Sequence, residues 1–449
     1  MFKLRATMEN KRYWIKLDNA AKIFPAVSDR ELTSVFRISV CLKERVKLAE
    51  LQRALAKTYR RFPYFNVHLK HGFFWHYLEE HKGIPRIEAD IWPPLQAFRT
   101  KFIHDRLYRI MARGREVSLE MMHSVSDGGG GMQFLNSLLY MYFLELGYKV
   151  DPPPFFMHPD ETPKAEEFQD SYNTYFQKEI PPAVPRSKAW ALPFELDSPP
   201  RLSVIQAEMS ATHILDKART YKVSATEFMA SVYLYALQDV LLNCEKRGIP
   251  QKLKILRMQI PINLRRIFPS RSMRNFTLFA LPEIDLRLGK YSFEEITQIV
   301  YHYMKLETYP KQIQKIISRN VGSEKLFYVR AIPLFIKDMV LAAKHKSYGN
   351  AQYSGVMTNL GQIKYPDSFA RHIDCISCLP PPPNKRTKIN CSIVSFENKM
   401  IASFCNITSS TELEHLFFSK LTEMNIPVKM RDRNDVMNPV NDQHNGKNM

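Results

Sequence analysis

One stretch decides how this 449-residue chain is interpreted: Met121-Met122-His123-Ser124-Val125-Ser126-Asp127-Gly128-Gly129-Gly130-Gly131. It places a histidine and an aspartate four positions apart, with a run of glycines directly after the aspartate. Histidine is suited to proton transfer near neutral pH, because its unperturbed pKa is about 6.5. The spacing is compatible with a general-base His123 whose loop is held by Asp127. It is equally compatible with an Asp127 that only caps the following helix.

The residues on either side favour a strand-to-helix junction. Residues 115–122 alternate polar and apolar side chains, as a half-buried strand does, and residues 132–146 carry apolar side chains at helical spacing. A histidine at such a junction can be held rigidly and still reach a cleft. The glycines are expected to give conformational freedom and room for a ligand. A phosphate loop is excluded, because the Gly-x-x-x-x-Gly-Lys-Ser/Thr pattern is missing.

The motif is accompanied by further segments that point to a known superfamily. His123-x-x-x-Asp127-Gly128 resembles the HxxxDG signature of the CoA-dependent acyltransferases, which include chloramphenicol acetyltransferases, condensation domains, plant acyltransferases and alcohol acetyltransferases. The start of the chain is similar to that of bacterial alcohol-acetyltransferase-like proteins. Two later parts resemble the superfamily's arginine-bearing strand with its following Asn-Phe strand, and its late Ser/Thr-Asn segment. These segments are residues 14–25, 261–266, 274–276 and 356–361, and the likeness spans roughly residues 10–425.

This resemblance implies a fold and a reaction. The fold would be an α/β (α+β sandwich) fold of two chloramphenicol-acetyltransferase-like domains with an active-site tunnel between them. His123 would act as general base on an alcohol hydroxyl that attacks an acyl-CoA thioester, with acetyl-CoA as the expected co-substrate and no permanently bound cofactor. Two departures are visible: Met122 stands where many members have a second histidine, and the DFGWG motif of the plant branch is absent.

The resemblance also assigns roles to further residues. Asp127 would hold the histidine loop through a salt bridge to Arg265, with Arg266 as the alternative partner. Donors to the developing oxyanion would be Thr358 and Asn359. Contacts to CoA are expected from Gly128, Lys385 and Arg386, although the basic loop 384–388 could equally be a solvated surface loop.

Three alternatives remain open at this stage. The acyl donor could be tethered to a carrier protein, or the acceptor could be an amine, because His123 would play the same part in either reaction. The chain could be an inactive acyltransferase-like binding protein. Nucleic-acid binding would suit a basic chain, but no segment resembles a nucleic-acid module, so no nucleic-acid partner is expected.

Size and proline content predict the domain organisation. A chain of this length exceeds one ordinary core and favours two domains. The dense prolines near residues 180–200 cannot continue a helix or a central strand, and they predict a surface linker. We therefore expect an N-terminal domain, a linker, a C-terminal domain and a disordered tail, at residues 1–178, 179–201, 202–430 and 431–449.

The positive charge is concentrated in the second part of the chain. The formal net charge is +19, of which +5 falls in residues 1–200 and +14 in the remainder. The phosphates of CoA or an anionic membrane face would suit such a surface. The chain is expected to be a monomer that acts on small molecules.

Two apolar segments are the longest in the sequence, Phe134–Leu146 and Ala331–Ala343. Both are shorter than the ~20 residues that span a bilayer. The N-terminus also lacks the apolar run of a signal peptide. A cytoplasmic protein without a transmembrane segment is therefore expected, with peripheral membrane contact left open.

Four of the six cysteines lie near the C-terminus and begin with a Cys-x-x-Cys pair, which superficially suggests zinc. The two pairs are not matched, and no histidine stands at ligand spacing. Reduced, buried thiols are favoured and no metal is expected. The six are Cys41, Cys244, Cys375, Cys378, Cys391 and Cys405.

Overall fold

The computed structural model describes residues 13–100, 104–181, 186–344 and 350–437. Their strands form three sheets of three, five and eight strands, with helices packed on them. This confirms the mixed α/β fold predicted from the sequence.

The N-terminal half supplies a small sheet and most of a five-stranded one. The small sheet has the order β1-β4-β3, and the larger one has the order β13-β2-β7-β6-β5. Helices α2 and α3 pack together against the larger sheet. The strands are β1 (Trp14–Lys16), β2 (Val35–Leu42), β3 (Val67–His71), β4 (His76–Glu80), β5 (Ile87–Ala89), β6 (Tyr108–Arg113) and β7 (Glu116–Met122). The helices are α1 (Phe24–Val27), α2 (Leu48–Thr58), α3 (Gly128–Glu145) and α4 (Ser171–Thr174).

The C-terminal half forms the eight-stranded sheet, in the order β10-β9-β12-β14-β15-β8-β16 with β11 paired to β9. Helix α6 packs on this sheet and contacts α7 and α12. The strands are β8 (Ser203–Ser210), β9 (Ile255–Asn263), β10 (Thr277–Ala280), β11 (Glu283–Asp285), β12 (Gly355–Ile363), β13 (Ile373–Leu379), β14 (Ile389–Phe396), β15 (Lys399–Asn406) and β16 (Val428–Met430). The helices are α5 (Ala211–Thr220), α6 (Ala225–Lys246), α7 (Phe293–Glu307), α8 (Pro310–Lys325), α9 (Phe327–Ala331), α10 (Leu334–Lys344), α11 (Asp367–Ala370) and α12 (Glu412–Glu423).

Two helices of this half begin where local sequence dictates. Ser224 and Glu227 form a capping box at the start of α6, and Ser292 and Glu295 form another at the start of α7. In each box the serine hydroxyl accepts from the N3 backbone N–H, and the glutamate accepts from the N-cap N–H. Short 3₁₀ turns connect several elements, at Ala21–Ile23, Tyr59–Arg61, Pro63–Phe65, Ala165–Phe168, Leu264–Arg266, Leu286–Leu288, Asn350–Gln352 and Arg433–Met437.

One strand crosses between the halves. β13 belongs to the C-terminal range by residue number, yet it pairs antiparallel with β2 at the edge of the five-stranded sheet. Phe369 and Ile373 are buried in the N-terminal core together with Phe396. The domain boundaries inferred from the sequence therefore remain a proposal, and residues 367–379 are an exception to a simple division at the linker.

The described part of the linker is irregular but is packed at its centre. Trp190 and Leu192 are buried in the core of the C-terminal half, and the Trp190 N–H donates to the Ile255 carbonyl. Prolines prevent a ladder strand here, while the large apolar side chains still find a core. Residues 182–185 lie outside the described residues.

The disordered tail predicted from residue 431 is corrected for its first seven residues. Arg433–Met437 form a 3₁₀ helix, and Val436 is buried beside Cys41 and Cys375. The Arg115 N–H donates to the Val436 carbonyl at 2.9 Å, and a Cβ at Gly114 would overlap with that carbonyl. Burial of one apolar side chain, with a backbone hydrogen bond, orders a segment whose composition is polar. Residues 438–449 lie outside the described residues.

All six cysteines are free and buried. The group with metal-ligand spacing among the described residues is Cys41, Asp374 and Cys375 rather than the four C-terminal cysteines. Lys399 and Arg115 already pair with the Asp374 carboxylate, at 2.5 and 3.3 Å. These two cations oppose the binding of a metal ion, and we assign none. Over the described ranges, no helix has the length and apolar character needed to cross a membrane.

Candidate active site

The histidine loop lies between the end of β7 and the start of α3. The His123 N–H donates to the Ser34 carbonyl at 2.9 Å, which continues the pairing of β2 with β7 for one residue past the strand. Helix α3 then begins at Gly128. The strand-to-helix junction predicted from the sequence is therefore observed.

Asp127 caps α3 and also reaches the C-terminal half. Its Oδ1 accepts from the N–H groups of Gly129 and Gly130, at 3.1 and 3.2 Å. Its Oδ2 accepts from Arg265 Nη1 at 2.7 Å and from the Phe276 N–H at 3.0 Å. Asp127 thus has both of the roles considered from the sequence. Its Oδ1 caps helix α3, and its Oδ2 accepts from Arg265 in the ion pair.

The charge of Asp127 is held in place by these donors. Burial alone acts to raise the pKa of the carboxyl, but the Arg265 guanidinium and the backbone N–H groups of Phe276 and Gly130 outweigh it. The pKa of Asp127 therefore lies below its ordinary value, and the group is ionised at neutral pH. Arg265 also donates to the Ser272 and Arg274 carbonyls, which ties the loop before β10 to the same carboxylate.

The glycines permit close approach rather than unusual dihedral angles. A Cβ at Gly130 would overlap with the Met273 carbonyl and the Ser126 hydroxyl, and one at Gly128 would come within 2.7 Å of Leu360 Cδ2. Gly128 is thus in contact with β12 of the C-terminal half, where the resemblance expects CoA nearby. All four glycines lie in the first turn of α3 and none has a positive φ, so the close approach of neighbouring atoms is what requires glycine here.

The His123 ring is enclosed by two aromatic rings and one amide. Phe24 stacks on it at 5.2 Å and Phe36 lies at 4.8 Å. Asn275 Oδ1 lies 3.4 Å from His123 Nδ1, and Asn275 Nδ2 donates to the His123 carbonyl at 2.7 Å. The same Nδ2 donates to Asp18 Oδ2 at 3.1 Å. Because both neighbours of Nδ2 are oxygens, the amide orientation is fixed and Oδ1 must face the ring.

That orientation determines the tautomer of His123. An amide oxygen facing Nδ1 accepts a hydrogen from it, which leaves the lone pair on Nε2. Burial lowers the pKa of His123 below its ordinary value, although the Asn275 contact and the Asp127 charge act in the opposite direction. The ring is therefore neutral near pH 7, and the Asn275 contact favours the tautomer with hydrogen on Nδ1.

Asp18 completes this cluster, and it was missed as a site residue from the sequence. It is fully buried; its Oδ1 accepts from the Ala21 N–H at 2.7 Å, and Arg274 Nη2 lies 3.5 Å from Oδ2. Burial raises the pKa of Asp18 to about 6, although Arg274 acts to lower it. Asp18 and Asn275 both stood in segments that carried the resemblance, and this was the signal that could have found them.

Two expected oxyanion donors lie on β12, in a different environment. Asn359 Nδ2 donates to Thr226 Oγ1 at 2.9 Å, and its Oδ1 accepts from the Gly361 N–H at 2.7 Å. Thr358 pairs with Ser392 in the ladder of β12 and β14. The side chain of Asn359 therefore shapes the irregularity of β12 at Gly361 and connects it to the start of α6. Leu360 is the next residue on β12, and its side chain lies close to Gly128 at the end of the histidine loop.

The two basic residues expected near CoA differ in how far their side chains are exposed to solvent. Arg386 is partly buried and donates through Nη2 to the Ala189 carbonyl at 2.5 Å. Lys385 is exposed and pairs with Glu31 at 3.2 Å. Arg386 thus connects the linker to loop 384–388, and Lys385 is the more accessible cation. The alternative partner Arg266 lies near Gly361 instead of Asp127.

Known proteins resemble this chain in structure and not in sequence. No protein-family model and no curated protein sequence matches the chain. Among solved structures, Fusarium sporotrichioides TRI101, crystallised with coenzyme A and T-2, is similar with a TM-score of 0.60 and 11% identity, over 93% of this chain and 99% of that one.

Two further structures have the same architecture. The wax ester synthase/diacylglycerol acyltransferase from Marinobacter aquaeolei VT8 has a TM-score of 0.54 and 11% identity, over 92% of this chain and 99% of its own. The first condensation domain of the CDA synthetase has a TM-score of 0.54 and 12% identity, over 96% and 97%. The chain therefore shares the fold of these acyltransferases and of the condensation domain over nearly its whole length.

Proposed function

We propose that this protein is a CoA-dependent O-acyltransferase that moves an acyl group, acetyl in the first instance, to an alcohol hydroxyl. The observation that carries the proposal is the neutral His123, whose Nδ1 is directed at Asn275 and whose Nε2 retains its lone pair. It lies where β7 and α3 meet β10 of the other half, in a fold that binds coenzyme A in TRI101. In this proposal the substrates enter between the halves and reach His123 there, as the resemblance implies.

In the proposed reaction, His123 Nε2 takes the hydroxyl proton as the acceptor oxygen attacks the thioester carbonyl carbon. The carbon–sulfur bond then breaks, and His123 returns the proton to the departing thiolate. The products are an ester and the CoA thiol, so atoms and charge balance. General-base assistance of this kind contributes about 100- to 10,000-fold.

The remaining residues have positioning roles in this proposal. Asp127 and Arg265 fix the loop that carries His123, and Asn275 fixes its tautomer. Thr358 and Asn359 are the proposed oxyanion donors, on the strand whose Leu360 lies close to Gly128. Asn359 would have to release its bond to Thr226 in order to donate. Lys385 is the exposed cation that we assign to the phosphates of CoA.

The experiment is a thiol-release assay with acetyl-CoA and longer acyl-CoAs against a panel of alcohols. We expect His123→Ala to lower turnover about 100- to 10,000-fold while the protein stays folded. His213→Ala is the matched control, because His213 is exposed on α5 and should have no effect. Full activity of a folded His123→Ala would refute the mechanism.

A carrier-protein donor is the second candidate, because condensation domains share the fold. The same assay separates the two. Thiol release from acyl-CoA supports the first proposal. Transfer from an acylated carrier protein, with none from any acyl-CoA, supports the second, and His123→Ala should abolish it equally. Absence of transfer from either donor would favour an acyltransferase-like binding protein.

A further inference from the structure

Helix α10 presents an apolar face to the outside of the molecule. Phe335 and Met339 are 67% and 70% exposed, and Ile336 and Val340 beside them are also exposed. Positions i, i+1, i+4 and i+5 lie on one side of a helix, so these four side chains form a continuous stripe. A surface helix normally turns such a stripe toward the core.

The inward side of α10 carries two charged residues beside the buried Leu334. Lys337 is 5% exposed; its Nζ donates to the Phe74 carbonyl at 3.0 Å and lies 3.7 Å from the centre of the Trp75 ring. Asp338 pairs with His76 Nε2 at 3.1 Å. The helix is therefore anchored to the β3–β4 hairpin through polar contacts. Its orientation is set by these contacts, so the exposed stripe is a built feature of the fold.

Segments that adjoin α10 also expose aromatic side chains. Phe327 of α9 is 85% exposed and Tyr328 follows it. At the hairpin tip Phe73 is exposed, and its carbonyl accepts from the Leu334 N–H at 2.8 Å, which holds the tip against the start of α10. We call the resulting surface the α9–α10 face, and its members are Phe327, Tyr328, Phe335, Ile336, Met339 and Val340.

Basic residues accompany this face. Residues 310–344 contain seven lysines and arginines against two acidic residues. Arg330 and Lys344 are exposed, each in the last turn of its helix. An apolar stripe with aromatic residues and flanking cations is the pattern of a helix that lies in the headgroup region of a bilayer.

We propose that the α9–α10 face binds the surface of an anionic lipid bilayer. A second copy of the chain is a poorer occupant on charge. A two-fold interface brings the same patch of both subunits together, so the cations of one copy would be added to those of the other with no acidic residue of the face to neutralise them. Acidic headgroups neutralise these cations, and the acyl-chain boundary covers the aromatic side chains.

The face is also close to the candidate site. Helix α10 packs against α1, and Phe24 of α1 stacks on His123. A bilayer on this face would therefore be separated from His123 by α10 and α1, and we expect an apolar acceptor to enter from this side. This last step alone rests on the proposed acyl transfer; the binding itself does not.

The test is flotation of the full-length protein with vesicles of phosphatidylcholine alone or mixed with phosphatidylglycerol. We expect binding to the mixed vesicles, and a loss of about ten-fold or more in Phe335→Ser/Met339→Ser. The matched control is Leu288→Ser, since Leu288 is 81% exposed at a distance in sequence from this face, and it should bind as the unaltered protein does. Arg330→Gln and Lys344→Gln should each weaken binding roughly five-fold.

Several results would overturn the proposal. These are binding to neither kind of vesicle, equal binding by the double variant, or loss of binding by Leu288→Ser as well. A dimer in solution that disappears in Phe335→Ser/Met339→Ser, without vesicle binding by the unaltered protein, would assign the face to a second copy. Circular dichroism of each variant excludes misfolding as the cause. Thiol release with dissolved substrates, measured on the same preparations, tests the acyltransferase separately.

Discussion

The two longest apolar segments of the chain lie in opposite environments, because one is buried in a core and the other is exposed on the surface. Helix α3 contains the first, and Phe134, Leu138 and most of its other apolar residues are completely buried against the five-stranded sheet. The second spans parts of α9 and α10, and Phe335 and Met339 face outward. An apolar pattern thus indicates that a face needs covering, but it does not say what covers it.

The residues between the apolar positions distinguish the two segments. Helix α3 carries small and uncharged polar residues there, and its one acidic residue comes at the end. Helix α10 has Lys337 and Asp338 adjacent to one another, and both find partners on the hairpin behind them. The inward polar contacts decide which way the apolar stripe points.

The largest expected effect is on the free energy of unfolding, and it comes from a substitution in the buried helix α3. Phe134→Ala should lower the free energy of unfolding by about 3–5 kcal/mol, because it leaves a cavity in the core of the N-terminal half. Urea unfolding followed by circular dichroism measures the loss. An effect below 1 kcal/mol would show that α3 is not the covered helix described here.

A somewhat smaller loss is expected at the start of α3. Asp127→Asn keeps an N-cap oxygen but removes the charge paired with Arg265, which should cost about 2–4 kcal/mol, since the pair is only partly shielded from water. Activity should fall with loop order. Asp338→Asn is the control on α10; its partially exposed carboxylate should contribute less, in the same urea titration.

The pH dependence of stability gives a further test of the Asp127 ion pair. The folded pKa of Asp127 is depressed, so its stabilisation is complete above its unfolded pKa of about 3.9 and is lost as the pH falls through the folded value. The difference in unfolding free energy between the unaltered protein and Asp127→Asn should be constant from pH 7 to about 4. Below that it should shrink, by at most ~1.4 kcal/mol per pH unit. A difference that grows on acidification would contradict the depressed pKa.

The smallest effect is expected on α10 itself. Phe335→Ser should change the free energy of unfolding by no more than about 0.5 kcal/mol, because the ring is largely exposed before and after the substitution. The contrast between this small change and the large loss expected for Phe134→Ala tests directly whether the two helices differ in burial. A loss of more than 2 kcal/mol would mean that Phe335 is covered within the monomer.

Local sequence predicted much of the framework. The strand before His123 and the helix after it were predicted from periodicity, and the capping boxes at Ser224 and Ser292 depend on residues three positions apart. Such features follow from periodicity and turn chemistry. The resemblance added Arg265, which the structure brings to Asp127 across 138 positions of sequence.

The remaining features depend on contacts that no local pattern encodes. Asn275 meets His123 over 152 positions and Asp18 over 257. The outward stripe of α10 is set by the hairpin behind it, and the order of residues 431–437 by a pocket beside Cys41. Each of these contacts joins segments that are far apart in sequence, so the three-dimensional arrangement is needed to see it.

Because β13 of the C-terminal half pairs with β2 of the N-terminal half, we expect that neither half folds without the other. A fragment that ends at the linker would keep β2 but lose the partner that covers its outer edge, and the unpaired edge would invite association with other chains. The remaining fragment would carry β13 without its sheet. Fragments divided at the linker should therefore fold only when produced together, and any hinge between the halves must move without breaking the β2–β13 ladder.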